Sequence, residues 1–298
     1  MHSSQTVRYS LLKWLNRLRH NSLRTLGLYE PITQTRYRLT APSIITNSRP
    51  KVVVSLKSYP PRFQQLHYTL MSLVSQRVKP DRIRLNLDEG TTKLLPEKCH
   101  EIIRRHSIET REIAIPMRSY GKLIPTLADY PHSTIITADD DVYYPRDWTK
   151  VLLGAHKQFR GHTIGYRAHK IEFDSTGKPL PYSQWKTSLR QPACGPNIML
   201  TGVSGILYPV DSLPPEAMRS TRFLELAPTA DDLWLWRMTL LAGYTPMKVG
   251  PKNYNYAWQN NGSQNLSDIN VAGHGNDYAL SSLLSSYPLS IKEDERKK

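Results

Sequence analysis

The first half of the chain alternates between short apolar runs and helical stripes of apolar residues. Positions 52–56 form a continuous run rich in β-branched residues and predict a buried strand. Apolar residues then recur at helical spacing as far as Gln76, which predicts a helix that begins near Pro61. Positions 83–87 alternate between apolar and polar residues and predict a second strand.

The same alternation continues toward the middle of the chain. It predicts a helix near 96–106, a third strand at 113–115, a helix near 122–130 and a fourth strand that ends at Ala138. Strands that alternate with helices are typical of a mainly parallel, doubly wound α/β sheet with right-handed crossovers. We therefore expect one α/β domain over residues 49–288.

The second half of the chain is less regular. Glycine and proline are frequent across 168–200, which favours a long loop or an insertion over a site. A glycine-rich turn at 201–205 leads into a short apolar run, and an apolar helix is predicted over 231–241. Trp234 and Trp236 are expected in the core of that helix, and stacking on an acceptor is the minority interpretation.

Both ends of the chain differ from the body. Residues 1–48 are basic, with Glu30 as their single acid, and their apolar residues at near-helical spacing predict an amphipathic extension. Such a helix could bind an anionic membrane surface, pack on the main domain or form an oligomer contact, and the pattern does not choose among these. Residues 289–298 are densely charged and are expected to be disordered.

Composition narrows the class of partner and the compartment. A net charge of +15 and a pI near 9.7 favour anionic partners such as nucleotide phosphates or acidic lipid headgroups. No stretch approaches the ~20 apolar residues of a membrane span. Cys99 and Cys194 are too few for a disulfide framework and fit a reducing compartment. We therefore expect a cytoplasmic protein, with peripheral contact to the inner face of the membrane left open.

Three adjacent acids follow the predicted fourth strand. Asp139, Asp140 and Asp141 raise one another's pKa unless a cation lies among them. Oxygen-only ligands suit Mg²⁺ or Mn²⁺, which in proteins commonly hold phosphate oxygens as well. A divalent-metal site at the carboxyl end of a strand is therefore the leading interpretation. The alternative is a solvated acidic turn that caps a helix near Pro145.

A second acidic pair, Asp231 and Asp232, opens the predicted helix at 231–241. Thr229 could cap that helix, and early acids complement the helix dipole, so a structural role alone would explain the pair. Two acidic clusters in one α/β domain also suit a division of roles, in which one holds a metal and the other supplies a general base.

Six segments of the chain, taken in order, resemble one family of enzymes. They are 54–63, 76–81, 121–125, 136–145, 201–209 and 230–234. Together they resemble bacterial glycosyltransferases of the family-two type, and the resemblance covers roughly residues 50 to 285. It implies a GT-A fold: a Rossmann-like, doubly wound, mainly parallel sheet with an acceptor-side insertion.

The resemblance also implies roles on the side of a nucleotide-diphosphate sugar donor. The residues that it places against the donor are Ser55, Tyr59, Arg62, Lys122, Asp139 and Asp140. Arg62 would hold phosphate through its fork geometry, and Lys122 would act as a point charge. Asp141 is implied as the metal ligand, and Asp139 is a second candidate ligand. His274 would complete the metal shell, although a turn histidine without a ligand role is the commoner outcome.

On the acceptor side, the resemblance implies that Asp232 is the catalytic base and that Asp231 orients the sugar or acceptor. A base on that side implies a single displacement with inversion at the anomeric carbon. Glycines in the 201–205 turn would let the backbone approach the donor or acceptor. Asp277, before a closing helix, matches a late Asn-Asp element of the same family and could also be only a helix cap.

The resulting hypothesis is a metal-dependent inverting glycosyltransferase of bacterial cell-envelope glycan synthesis, such as lipopolysaccharide or capsule. Its expected partners are a nucleotide-diphosphate sugar and a glycan or glycolipid acceptor, with Mn²⁺ or Mg²⁺ as cofactor and no nucleic acid. Two alternatives stay open at this point. One is a metal-dependent nuclease or phosphotransferase acting on nucleic acid, which the positive charge permits. The other is a nucleotide-sugar-binding protein without catalytic activity.

Overall fold

Strands and helices alternate through most of the chain. A computed structural model describes residues 51–115, 117–250 and 275–289. In that part of the chain, strands β1 to β10 are Val52–Ser58, Arg82–Asp88, Glu109–Ile113, Thr134–Ala138, His162–Gly165, Ala168–Lys170, Ala193–Cys194, Ile198–Leu200, Ile206–Tyr208 and Thr245–Lys248. Helices α1 to α7 are Phe63–Val74, Glu97–His106, Ile124–Asp129, Trp148–Gln158, Ser220–Leu226, Asp231–Leu241 and Gly275–Ser286.

One large sheet organises these elements, in the strand order β3-β2-β1-β4-β9-β5-β10-β7. Strands β1 to β4 pair in parallel, and β10 is parallel to β5. Strand β9 lies antiparallel between β4 and β5, and β7 is antiparallel to β10. The sheet is mainly parallel, which confirms the predicted α/β class. Leu56 pairs with Ala138, so the carboxyl ends of β1 and β4 meet at one edge.

Different layers cover the two faces of the sheet. Val54 and Leu56 of β1 belong to an apolar cluster that includes residues of α1, α2 and α4. A second cluster joins β9 to α6, α7 and the 168–200 segment. Between the apolar positions of β1, Ser55 forms a hydrogen bond with Thr126 of α3. Burial on both faces explains why β1 is a continuous apolar run rather than a strict alternation.

Most predicted elements are confirmed, including β1, β2, β4, α2 and α6. The third strand is Glu109–Ile113 rather than 113–115, and Ile115 is 55% exposed. This strand lies at the edge of the sheet, where polar and charged residues are tolerated, so its apolar signal is weak. Helix α4 begins at Trp148, after Asp147, rather than beside Pro145.

The 168–200 segment contains short strands rather than one long loop. Strands β6 and β8 pair as a separate two-stranded sheet, and Trp185 is buried against the rest of the domain. The Asp277 carboxylate accepts a hydrogen bond from the Tyr182 backbone N–H at 2.6 Å, and therefore ties α7 to this segment.

Several predictions fall on residues that the structure does not describe. These are the amphipathic helix of residues 1–48, His274 and the tail beyond 289. Within the described ranges, no helix is long and apolar enough to cross a bilayer. Cys99 is buried and Cys194 is exposed, and no disulfide joins them.

Candidate active site

The candidate site lies where β1 and β4 end side by side. The 139–141 turn follows β4 directly, and Ser58 is the last residue of β1. This is the edge of a parallel sheet at which α/β proteins bind ligands, because the loops after adjacent strands open a crevice there. Helix α6 adds Asp231 and Asp232 at its first turn, so two acidic clusters reach one region of the fold.

Asp140 is the most extensively hydrogen-bonded aspartate of the first cluster. Its carboxylate is 4% exposed and accepts hydrogen bonds from Ser58 Oγ at 2.6 Å and from Arg62 Nη1 at 2.6 Å. Its backbone carbonyl accepts a hydrogen bond from Thr69 Oγ1 at 2.8 Å. Hydrogen bonds to a buried carboxylate hold its position as well as its charge. Asp140 therefore orients the turn, with little surface left for a ligand.

Arg62 is shared between two of the three acids. Besides Asp140, its Nη1 lies 3.2 Å from Asp141 Oδ2, and its guanidinium lies 5.4 Å from the centre of the Tyr59 ring. Burial opposes the charge of Arg62, but the two carboxylates outweigh it and raise the pKa of the guanidinium. Arg62 is therefore a permanent cation at this edge of the site.

Arg62 only partly offsets the unfavourable surroundings of the Asp141 carboxylate. Burial, followed by the charges of Asp140 and Asp139, raises the pKa of Asp141 to about 7, and Arg62 opposes that shift. Its side chain is 19% exposed, so it has a face open to a ligand. A bound cation would lower the pKa of such a carboxyl group and stabilise its ionised form.

Lys122 connects the two acidic clusters. Its Nζ lies 3.1 Å from Asp139 Oδ1 and 3.3 Å from Asp231 Oδ2, and the residue is 8% exposed. Burial opposes the ammonium charge, but Asp139, Asp231 and Asp232 raise its pKa well above the ordinary value. Lys122 is therefore charged, and its charge is directed at carboxylates from two different elements.

Asp232 has the surroundings of a general base. Its Oδ1 accepts a hydrogen bond from the Gly202 backbone N–H at 3.1 Å. Burial and the neighbouring Asp231 raise the pKa of Asp232 to about 7, against the lowering effect of Lys122. A base whose pKa lies close to neutrality is effective in proton transfer at that pH. Ala230, rather than Thr229, holds the N-cap position of α6.

The charges of the site are unbalanced and fit a divalent cation. Among the described residues of the two clusters, five carboxylates share the cations Arg62 and Lys122. No group of three or more His, Cys, Asp or Glu side chains in the described ranges is arranged to hold a metal ion by itself. Magnesium-type ions are commonly held by one or two carboxylates together with substrate phosphates. Asp139 and Asp141, at 23% and 19% exposure, suit that arrangement.

Comparison with known proteins identifies the fold. No protein-family model and no curated protein sequence matches the chain. The structure of S. aureus TarS 1–349 in complex with UDP matches with a TM-score of 0.50 at 14% identity, over 83% of this chain and 68% of that one. The chain has a GT-A-like fold, which it shares with this structure.

Two other structures match this GT-A-like chain less well. TarS 1–349 in complex with UDP-GlcNAc gives a TM-score of 0.48 at 15% identity, over 83% of this chain and 77% of that one. The mannosyltransferase PcManGT from Pyrobaculum calidifontis, in complex with GDP-Man and Mn²⁺, gives 0.45 at 14% identity, over 77% of this chain. The match spans 64% of that mannosyltransferase.

The GT-A-like chain brings most of the predicted residues together. Lys122, Arg62 and both acidic clusters meet at one edge of the sheet, and Tyr59 packs beside Arg62. Ser55 does not reach that surface: it is fully buried, with its hydroxyl 2.6 Å from Thr126 Oγ1 and 3.1 Å from the Asn86 amide. In this structure it supports the sheet behind the site.

Other residues were missed or misjudged by sequence reasoning. Ser58 contacts the first acidic cluster, and no sequence pattern marks it as functional. Gly202 lies in the glycine-rich turn noted in the sequence, but its hydrogen bond to Asp232 was not predicted. Trp234 is fully buried, and the Trp236 indole N–H donates to the Pro196 carbonyl, so both belong to the core as expected. An acceptor-stacking role for them is therefore wrong.

Proposed function

We propose that the chain is a metal-dependent, inverting glycosyltransferase that moves a sugar from a nucleotide-diphosphate donor to an acceptor hydroxyl. The observation that carries this proposal is the pair of acidic clusters at one sheet edge. One cluster follows β4 and the other opens α6, and Lys122 forms ion pairs with both. That arrangement supports a donor side and an acceptor side with separate chemical roles.

On the donor side, Asp141 and Asp139 would hold a divalent cation, with His274 as a further candidate. When bound, the cation supplies charge that neutralises the leaving diphosphate. Asp140 holds Arg62 and the turn in place, and Arg62 would bind phosphate oxygens through its guanidinium. Tyr59, packed on Arg62, would contact the nucleotide.

On the acceptor side, Asp232 would remove the proton from the acceptor hydroxyl as that oxygen attacks the anomeric carbon. Its pKa of about 7 leaves a large share of the group ionised at neutral pH. Asp231 would orient the sugar or acceptor. Attack on the face opposite to the leaving diphosphate gives one displacement, and therefore inversion.

The acceptor and the cellular role rest on the sequence alone. We propose a glycan or glycolipid of the bacterial cell envelope, such as lipopolysaccharide or capsule, as the acceptor. The basic residues of 1–48 would hold the enzyme at the anionic, cytoplasmic face of a membrane. The fold neighbour TarS binds UDP, and this supports a nucleoside diphosphate as the common part of the donor.

A thermal-shift panel tests the donor proposal directly. Nucleoside diphosphates and nucleotide sugars are added with and without Mn²⁺ to the wild type, Asp141→Ala and the control Asp147→Ala. Asp147 is an exposed aspartate that forms a surface ion pair with Arg77. A ligand at a hundred times its Kd stabilises the native state by about 2.7 kcal/mol, which raises the melting temperature measurably.

We expect one nucleotide class to stabilise the wild type and Asp147→Ala in the presence of Mn²⁺, and to lose that effect in Asp141→Ala. The absence of any nucleotide shift would overturn the glycosyltransferase proposal. Steeply salt-dependent binding of DNA or RNA, with cleavage, would then support the nuclease alternative. Metal-dependent binding without turnover or slow donor hydrolysis would support a protein that only binds nucleotide sugars.

A further inference from the structure

Lys122 forms ion pairs with both acidic clusters of the site. It ends the short 3-10 helix Arg118–Lys122, and its ammonium lies between Asp139 of the β4 turn and Asp231 of α6. A lysine that served only a phosphate would gain nothing from the contact with Asp231. Its two ion pairs instead link the element that carries the donor carboxylates to the element that carries the base.

Gly202 leaves the space that this ammonium fills. A Cβ atom on Gly202 would lie 2.5 Å from Lys122 Nζ and 3.3 Å from Asp232 Oδ1. Gly202 has no positive φ, so its backbone conformation does not itself demand glycine. Its missing side chain is therefore explained by the close approach of Lys122, and its N–H is free to donate to Asp232.

We propose that Lys122 is a positioning residue that joins the donor-side carboxylates to the acceptor-side pair, and that Gly202 is glycine in order to admit it. The catalytic consequence rests on the function proposed above. Without the ammonium, the Asp139 and Asp231 carboxylates would face each other with no cation between them, and like charges would drive them apart. Asp232 follows Asp231 in the same helical turn and would move with it.

The contact between Lys122 and Gly202 is testable without any substrate, by a double-mutant cycle on thermal stability. The variants are Gly202→Ala, Lys122→Ala and the double variant, with Lys122→Met in place of Lys122→Ala if the latter does not fold. Gly154→Ala is the matched control, because a Cβ there meets nothing within 4 Å and the residue lies in α4. Residues in direct contact are expected to be non-additive.

We expect Gly202→Ala to lower the melting temperature of the wild type, and to have little further effect once Lys122 has been truncated. Gly154→Ala should leave the melting temperature unchanged or slightly raised. If the losses from Gly202→Ala and Lys122→Ala simply add, the two residues are not coupled, and the proposal is overturned.

A kinetic comparison then separates positioning from phosphate binding. For Lys122→Met, we expect kcat to fall about 100-fold, since a displacement of about 1 Å in a catalytic group has effects of that size. The Kd for the nucleoside diphosphate with Mn²⁺ should rise far less than kcat falls, because Asp141 and Arg62 remain on the donor side. A loss of nucleotide affinity as large as the loss of kcat would make Lys122 a phosphate ligand and overturn the positioning role.

The pH dependence of kcat gives a readout that a purely structural role would not change. Loss of the nearby ammonium should move the acidic limb of the profile to higher pH in Lys122→Met. An unshifted limb would contradict the link to Asp232. If the wild type turns over no nucleotide sugar at all, the proposed function fails, and the stability cycle still decides whether Lys122 and Gly202 are coupled.

Discussion

The raised pKa of Asp232 leads to a quantitative prediction for the pH dependence of transfer. A base acts in its ionised form, and a group with a pKa of about 7 is about one-tenth ionised at pH 6 and about nine-tenths ionised at pH 8. We therefore expect kcat/KM to rise about tenfold between pH 6 and pH 8. A carboxylate with an ordinary pKa of about 4 would be fully ionised at both values and would give a flat profile.

The shift has a definite structural cause, so its size can be tested by mutation. Asp232 is half-buried beside Asp231, and both the partial loss of water and the neighbouring charge raise its pKa. Asp232→Asn removes the base and should lower kcat by about 10²–10⁴-fold, while nucleotide binding persists. Asp147→Asn, at a surface ion pair, is the matched control and should keep the wild-type profile.

The assay is initial-rate transfer from the nucleotide sugar found by thermal shift, at saturating Mn²⁺ and constant ionic strength. Saturating metal matters because Asp141 also has a pKa of about 7, and a bound cation favours its ionised form. With Asp141 held ionised, the acidic limb reports Asp232. A flat profile from pH 6 to pH 8, or an Asp232→Asn variant with normal kcat, would refute the assignment of Asp232 as the base.

Two stability predictions follow from the packing around the site. Ser58→Ala removes the 2.6 Å hydrogen bond to the buried Asp140 carboxylate and should lower the free energy of unfolding by about 1–3 kcal/mol in urea titrations; an unchanged midpoint would contradict the anchoring role of Ser58. Gly205→Ala should cost about 2–5 kcal/mol in the same assay, because Gly205 has a φ of +86° and a Cβ there would collide with the Trp148 ring, whereas Gly154→Ala should be nearly neutral.

The order of elements and much of the site could be predicted from the sequence because the signals are local. A continuous apolar run marked β1, and three adjacent acids marked the end of β4. Ligands of open α/β sheets bind at the carboxyl ends of the strands, so the position of a site could be predicted as well. Edge strand β3 was misplaced because its polar residues carry little apolar signal, and the short strands of 168–200 were missed for lack of periodicity.

Only the tertiary structure determined which carboxylates pair with which cations in the site. The resemblance implied phosphate contacts for Lys122 and Arg62, and the fold shows that both also pair with carboxylates from distant positions in the chain. It also buries Ser55 behind the site and brings Gly202 against Lys122. The physical reason is that periodicity and motif spacing report neighbours along the chain. Ion pairs and close approaches depend on which elements the sheet order places side by side.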